Sequence, residues 1–150
     1  MIKCLGYVPL YRPPPLKDNK LTVTKFLVEF SSYLENIILT TGDLIIVGDF
    51  NFHIDDPGDN DAKCFLRLLD GFCLKNHVVG PTHKNGHTLD LILTRSDSDV
   101  VCDVRIGYPM ISDHFALHFH LECPKPQFSR KVISYRNTKD IVSSVFSDDI

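Results

Sequence analysis

The segment LIIVGDFNFHIDD, residues 44–56, runs through four apolar residues and then breaks at Gly48-Asp49-Phe50-Asn51. A run without polar alternation suits a strand covered on both faces, as in an α/β sheet, and Leu44 to Val47 is too short for a helix. Residues two apart in extended chain project to one face, so Asp49 and Asn51 reach the same point at the carboxyl end of this strand. In α/β sheets that end is where ligands bind.

Helical patterns bracket the strand. Val23, Phe26, Leu27, Phe30, Leu34, Ile37 and Ile38 fall at the spacing of one buried helical face, and Gly42 punctuates its end. Beyond Asp55-Asp56-Pro57-Gly58-Asp59, a second helix is expected from Asn60 to Leu74, with Ala62, Phe65, Leu66, Leu69 and Phe72 on one side. Residues 2 to 8 read as a strand that runs into the stiff loop Tyr11-Arg12-Pro13-Pro14-Pro15. Further strands are expected at Val78-Val79, Thr88 to Thr94, Val100 to Ile106 and Phe115 to Leu121. Pro124, Pro126 and the neighbouring charges mark a linker, followed by a short helix from Thr138 to Phe146. The pattern is a mixed sheet with a few helices.

Composition sets wide bounds. The 150 residues are 43% apolar and 23% charged, enough for one domain with a core, and the net charge of −3 gives no broad basic field for a polyanion. The odd number of scattered cysteines, 5 in all, argues against a closed disulfide framework and for a reducing compartment. MIKCLGYVPLY at the start is too short and too broken by Gly6 and Pro9 for a signal peptide or a membrane span. An intracellular protein, nuclear or cytoplasmic and away from membranes, is the expectation.

Three short elements could carry chemistry. A carboxylate at Asp49 that orients a water, beside an amide at Asn51 that donates to a phosphate oxygen, suits phosphodiester hydrolysis. The same two residues also make Asx turns that simply end strands. Asp90 lies alone in the apolar run Thr88 to Leu93, where burying it unpaired would be expensive. His114, in Ser112-Asp113-His114, is the partner that would satisfy it and be held in one tautomer, either as a structural pair or as a catalytic one. His83 and His87 have a spacing found in zinc sites, but Asn85 and Gly86 make the segment a turn and a solvated loop. Asp55, Asp56, Asp59 and Asp61 lack the order of a calcium loop and read as acids at a helix start.

Taken together, Gly48-Asp49-Phe50-Asn51, Thr88-Leu89-Asp90 and Ser112-Asp113-His114 occur in the order found in the exonuclease/endonuclease/phosphatase superfamily. More narrowly, YRPPP, LIIVGDFNFHIDDP, HVVGPTHKNGHTLDLILTR and PMISDHFAL resemble the apurinic-type endonuclease domain of non-LTR (LINE-type) retrotransposons, from about Ile2 to Glu122. The resemblance implies an α/β fold, half of a four-layer DNase-I-like sandwich, with one mixed sheet flanked by helices. It implies DNA as substrate and Mg²⁺ or Mn²⁺ as cofactor. Asp49 would activate the attacking water and Asn51 would hold it or a phosphate oxygen. His114, paired with Asp90, would stabilise the pentavalent phosphate or serve in proton transfer, Asp113 would lie beside the metal, and Tyr11 would touch the phosphate.

Members of that family begin with a half-domain that supplies the principal metal-binding Glu, so residues 1–122 are expected to be an N-terminally truncated domain. Residues 123–150 resemble the segment leading to a reverse transcriptase, itself absent. Losing one sheet would expose apolar residues, with Phe115, Leu117 and Phe119 the candidates. Three functions follow from the resemblance: a metal-dependent nicking endonuclease, a catalytically inactive retroelement fragment, or a DNA- or protein-binding remnant.

Overall fold

The computed structural model describes residues 5–14, 22–108 and 112–122. In chain order these form β1 (Leu5–Tyr11), α1 (Val23–Ile37), β2 (Asp43–Asp49), α2 (Asn60–Gly71), β3 (Leu74–Asn76), β4 (Asp90–Arg95), β5 (Val101–Ile106) and β6 (Leu117–Leu121). The expected linker from residue 123 and the helix over 138–146 lie outside the described residues.

A four-stranded mixed sheet of order β1-β2-β4-β3 forms the centre, and β5 and β6 make a separate antiparallel pair. β1 runs parallel to β2, with α1 as the crossover between them, while β4 is antiparallel to both of its neighbours. Parallel pairing needs such a long connection, which explains why the helix separates the two strands in sequence.

The central strands are covered on both faces, as the unbroken apolar run demands. Leu44, Ile46, Leu91 and Leu93 face one cluster with Phe30 and Leu34 of α1 and Ala62, Phe65 and Leu69 of α2. Ile45 and Ile92 point the other way, into a second cluster with Val78, Val100 and Val101, and Leu117 and Phe119 of β6 pack against it. The small sheet therefore covers the face that the helices do not. The apolar surface expected at Phe115, Leu117 and Phe119 lies elsewhere: all three are half-buried, whereas on the edge strand β1 Tyr7 is 58% and Tyr11 68% exposed.

Local chemistry explains the element boundaries. Thr22 caps α1 by accepting from the Lys25 N–H, and Asp59 caps α2 by accepting from the Asp61 and Ala62 N–H groups. Three of the four acids are thus a helix start, while Asp55 instead accepts from the Thr88 N–H at 2.7 Å. Asp59 is the cap of α2, Asp61 sits in its first turn, and Asp56 accepts from the Gly58 N–H in the preceding turn. α2 ends at Gly71, short of the expected Leu74, because Cys73 takes a left-handed φ of 52° and turns the chain. The strand that follows is Leu74–Asn76 and not Val78-Val79. The Asn76 side chain bonds both the carbonyl and the N–H of Val78, which draws the chain out of the ladder. Among the described residues no helix is long and apolar enough to cross a membrane.

Candidate active site

Phe50 and Phe52 flank Asn51 and are almost wholly buried, so the turn after β2 alternates between core and surface. Phe50 meets the ring of Phe65 at 5.2 Å and Phe52 stacks on it at 4.5 Å. With these rings fixed in the core, Asp49 and Asn51 are delivered to the opposite side. Asn51 adopts a left-handed φ of 51°, which Asn tolerates better than most residues.

Asp49 does form an Asx turn: its Oδ1 accepts from the Asn51 N–H at 3.0 Å. Its Oδ2 accepts from Asn51 Nδ2, also at 3.0 Å. The turn reading of this pair therefore holds, and the turn fixes the direction of the carboxylate. The second Nδ2 hydrogen of Asn51 goes to the Arg12 carbonyl at 2.6 Å, so both amide hydrogens are engaged within the protein.

The register between β2 and β4 places Asp49 directly opposite Asp90. Like charges in that position repel. His114 lies beside both: its Nδ1 is 2.8 Å from Asp90 Oδ2 and its Nε2 is 4.0 Å from Asp49 Oδ2. Burial pushes the His114 pKa down, but the hydrogen bond from Asp90 and the charges of Asp90, Asp49 and Asp113 outweigh it and the net shift is upward. Burial raises the Asp49 pKa, with the Asn51 N–H opposing and the Asp90 charge adding to the rise. A carboxylate so shifted is a better proton acceptor than an exposed one.

His114 reaches this place through a backbone staple. It bridges to His83, the Phe115 N–H donates to the Thr82 carbonyl at 2.7 Å, and the Lys84 N–H donates to the Asp113 carbonyl at 2.9 Å. Thr82 is wholly buried, and its Oγ1 accepts from the N–H groups of both Leu89 and Asp90. Thr82→Val should therefore destabilise the fold by about 1–3 kcal/mol for each orphaned N–H. Urea unfolding would measure this, and an unchanged midpoint would contradict it.

The remaining candidates are spread around this centre. Tyr11 is opposite Asp49 in the β1–β2 register and its side chain is exposed. Asp113 is exposed and 3.3 Å from His83 Nε2. His83 and His87 do not converge: His87 Nδ1 turns to Asp55 Oδ2 at 3.2 Å and its ring stacks on His53. Among the described residues two groups have ligand atoms within 4.8 Å of one another, Asp49-Asp90-His114 and His83-Asp113-His114. Oxygen-rich donors of the first kind suit a hard divalent ion. A cleft of about 650 Å³ opens beside His114, lined also by Tyr108, Phe115 and Ala116.

Sequence reasoning missed Arg12 and Thr82. Arg12 sits in a proline-rich loop and reads there as a solvated cation, yet it is 2% exposed. Thr82 carried no signal beyond its place in Pro81-Thr82-His83.

A four-stranded mixed sheet flanked by helices on one face and a second, smaller sheet on the other is the DNase-I-like endonuclease fold, and the comparisons with known proteins agree on that fold. A solved structure, the endonuclease domain of TRAS1, a telomere-specific non-LTR retrotransposon, matches with a TM-score of 0.58 at 16% identity over 71% of this chain. The chain spans about half of that structure, 52% of its length. No curated protein matches. The family model described as Endonuclease-reverse transcriptase matches residues 7–118, and the chain belongs to that family.

Proposed function

We propose that this chain is the part of a divalent-metal-dependent DNA endonuclease that activates water and stabilises the cleaved phosphate. The observation that carries the reading is the approach of Asp49, Asp90 and His114 at the ends of two paired strands. Asp49, with its raised pKa, accepts the proton of the attacking water. Its orientation is held by Asn51. His114, oriented by its hydrogen bond to Asp90 and with its pKa raised by that neighbour, offers Nε2 to the phosphate oxygens as negative charge builds. Tyr11, on the rim opposite Asp49, contacts the phosphate backbone.

Mg²⁺ or Mn²⁺ fits the group Asp49-Asp90-His114, with Asp113 in the adjoining group beside His83, and when bound it would polarise the phosphate and stabilise the leaving oxygen. A further half-domain of the same fold would cover the exposed face of β1, with residues 123–150 leading on to a reverse transcriptase. The matched structure extends well beyond this chain, which supports that reading.

A second reading, an inactive remnant that still binds DNA, is favoured by one feature. Among the described residues neither candidate metal group contains a glutamate. Plasmid nicking with Mg²⁺ distinguishes the two. The intact chain should nick, and Asp49→Ala and His114→Ala should each lose about 10²–10⁴-fold. Equal background from all three proteins would sink the endonuclease reading. Filter retention of DNA without cleavage, lost at raised salt, would mark the remnant.

A further inference from the structure

Arg12 is buried to 2% exposure, directly behind the turn that carries Asp49 and Asn51. Its NH1 group donates to the carbonyls of Phe50 and Asn51, each at 3.0 Å. Its own N–H donates to the Asp49 carbonyl at 2.8 Å, and its carbonyl receives Asn51 Nδ2 at 2.6 Å. The guanidinium lies 4.1 Å from the centroid of Phe52 and 5.2 Å from that of Phe26. Backbone and side chain of this one residue therefore hold Asn51 at both its carbonyl and its amide.

A charge in that position is an expensive way to fill space. Burial works against the cation, with Asp61, Asp49 and Asp59 compensating through their charges. Arg12 Nε is buried with no hydrogen-bond partner among the described residues. An apolar side chain of similar volume would avoid both costs, since buried ions are often replaced by hydrophobes without loss of stability. What only the arginine supplies is a flat guanidinium that stacks on Phe52 while one of its terminal nitrogens, NH1, donates to two successive carbonyls in that plane and so fixes a left-handed turn. Lysine has the charge without the plane.

We propose that Arg12 is the positioning residue for Asn51: its stacked guanidinium, through NH1, clamps the turn so that the Asn51 amide lies on the Asp49 carboxylate and presents that carboxylate to the water. This rests on the endonuclease reading for its catalytic consequence. The geometry is testable without it. In the intact chain the Asn51 side-chain amide protons should exchange slowly with solvent and resonate away from the solvent-exposed position in a two-dimensional NMR spectrum. A freely exchanging Asn51 amide would overturn the proposal.

Arg12→Met and Arg12→Lys, studied below their melting temperatures, should each release that amide to a solvent-like signal. In plasmid nicking they should lower kcat about 10–100-fold while KM stays within about threefold, the signature of a misplaced group rather than lost binding. A role confined to holding the fold would give wild-type kcat once corrected for the folded fraction, and that result would overturn the assignment, as would full rescue by lysine. If the unaltered chain does not nick, the endonuclease reading fails by itself, and the Asn51 amide signal still decides for or against Arg12.

Discussion

An Asp90→Asn protein should keep its fold and lose nicking activity by about 10²–10⁴-fold. The substitution leaves the shape of β4 unchanged and removes a charge that lies opposite Asp49 in the sheet, so the ladder is relieved of a repulsion. What it takes away is the charge of the acceptor 2.8 Å from His114 Nδ1, since an amide oxygen can still receive that hydrogen but only as a neutral, weaker partner. The charge of Asp90 and the charge-assisted part of its hydrogen bond, both of which raise the His114 pKa, are lost together, while the burial that lowers it remains. The His114 pKa should fall, and an NMR titration in metal-free buffer would measure the drop. An unmoved imidazole with normal nicking would show that Asp90 is ordinary strand filling.

The same pair shapes stability against pH. His114 has a folded pKa above its unfolded value, so its contribution is complete below the ordinary value of 6.5 and is lost as pH rises through the folded value. Asp49 is also raised, from 3.8, and acts in the same direction in a lower window: the fold is favoured while the group is protonated, and that advantage fades as pH climbs from 3.8 through the folded value. In Asp90→Asn the His114 part of this dependence should shrink.

Gly48→Ala should be the most damaging small substitution in the sheet, with a loss on the order of 3 kcal/mol or more. A Cβ at this position would stand 1.7 Å from the Leu10 carbonyl oxygen and 2.6 Å from its carbon. Both are backbone atoms of the neighbouring strand, so no side chain is available to swing aside. The only relief is to part β1 from β2 at the point where Leu10 and Gly48 pair, one step before Tyr11 and Asp49. Gly71→Ala is the matched control: a Cβ there meets nothing within 4 Å, at the end of a helix where alanine is preferred to glycine. Thermal unfolding should separate the two by about 10 °C. A Gly48→Ala protein melting with the unaltered chain would contradict the close approach.

Much of this was legible in the residues themselves. The unbroken run Leu44 to Val47 announced a strand buried on both sides, and the helical periodicities located α1 and α2 to within a few residues. The pairing of Asp90 with His114 followed from the cost of a lone buried acid, and the two are hydrogen-bonded. The strand after α2 was misplaced because Val78 and Val79 look like strand residues one at a time, while the Asn76 side chain that removes them from the ladder acts through backbone bonds. Arg12 was passed over for a related reason. Its burial depends on Phe26 and Phe52 closing around it from distant parts of the chain, and a guanidinium between prolines gives no sign of that. The large exposed residues of β1 were likewise hidden, because which face of an edge strand is covered is a property of its neighbours.

The alternation of Asp49, Phe50, Asn51 and Phe52 has a dynamic consequence. Chemistry and core share one short stretch of backbone, so neither reactive side chain can move away without drawing an aromatic ring out of the packed interior. Local fraying, by which many loops open at little cost, is opposed at this turn by the burial of Phe50 and Phe52, so its backbone amides should be among the slower ones to exchange with solvent, unlike those of the exposed rim at Tyr11 and Asp113.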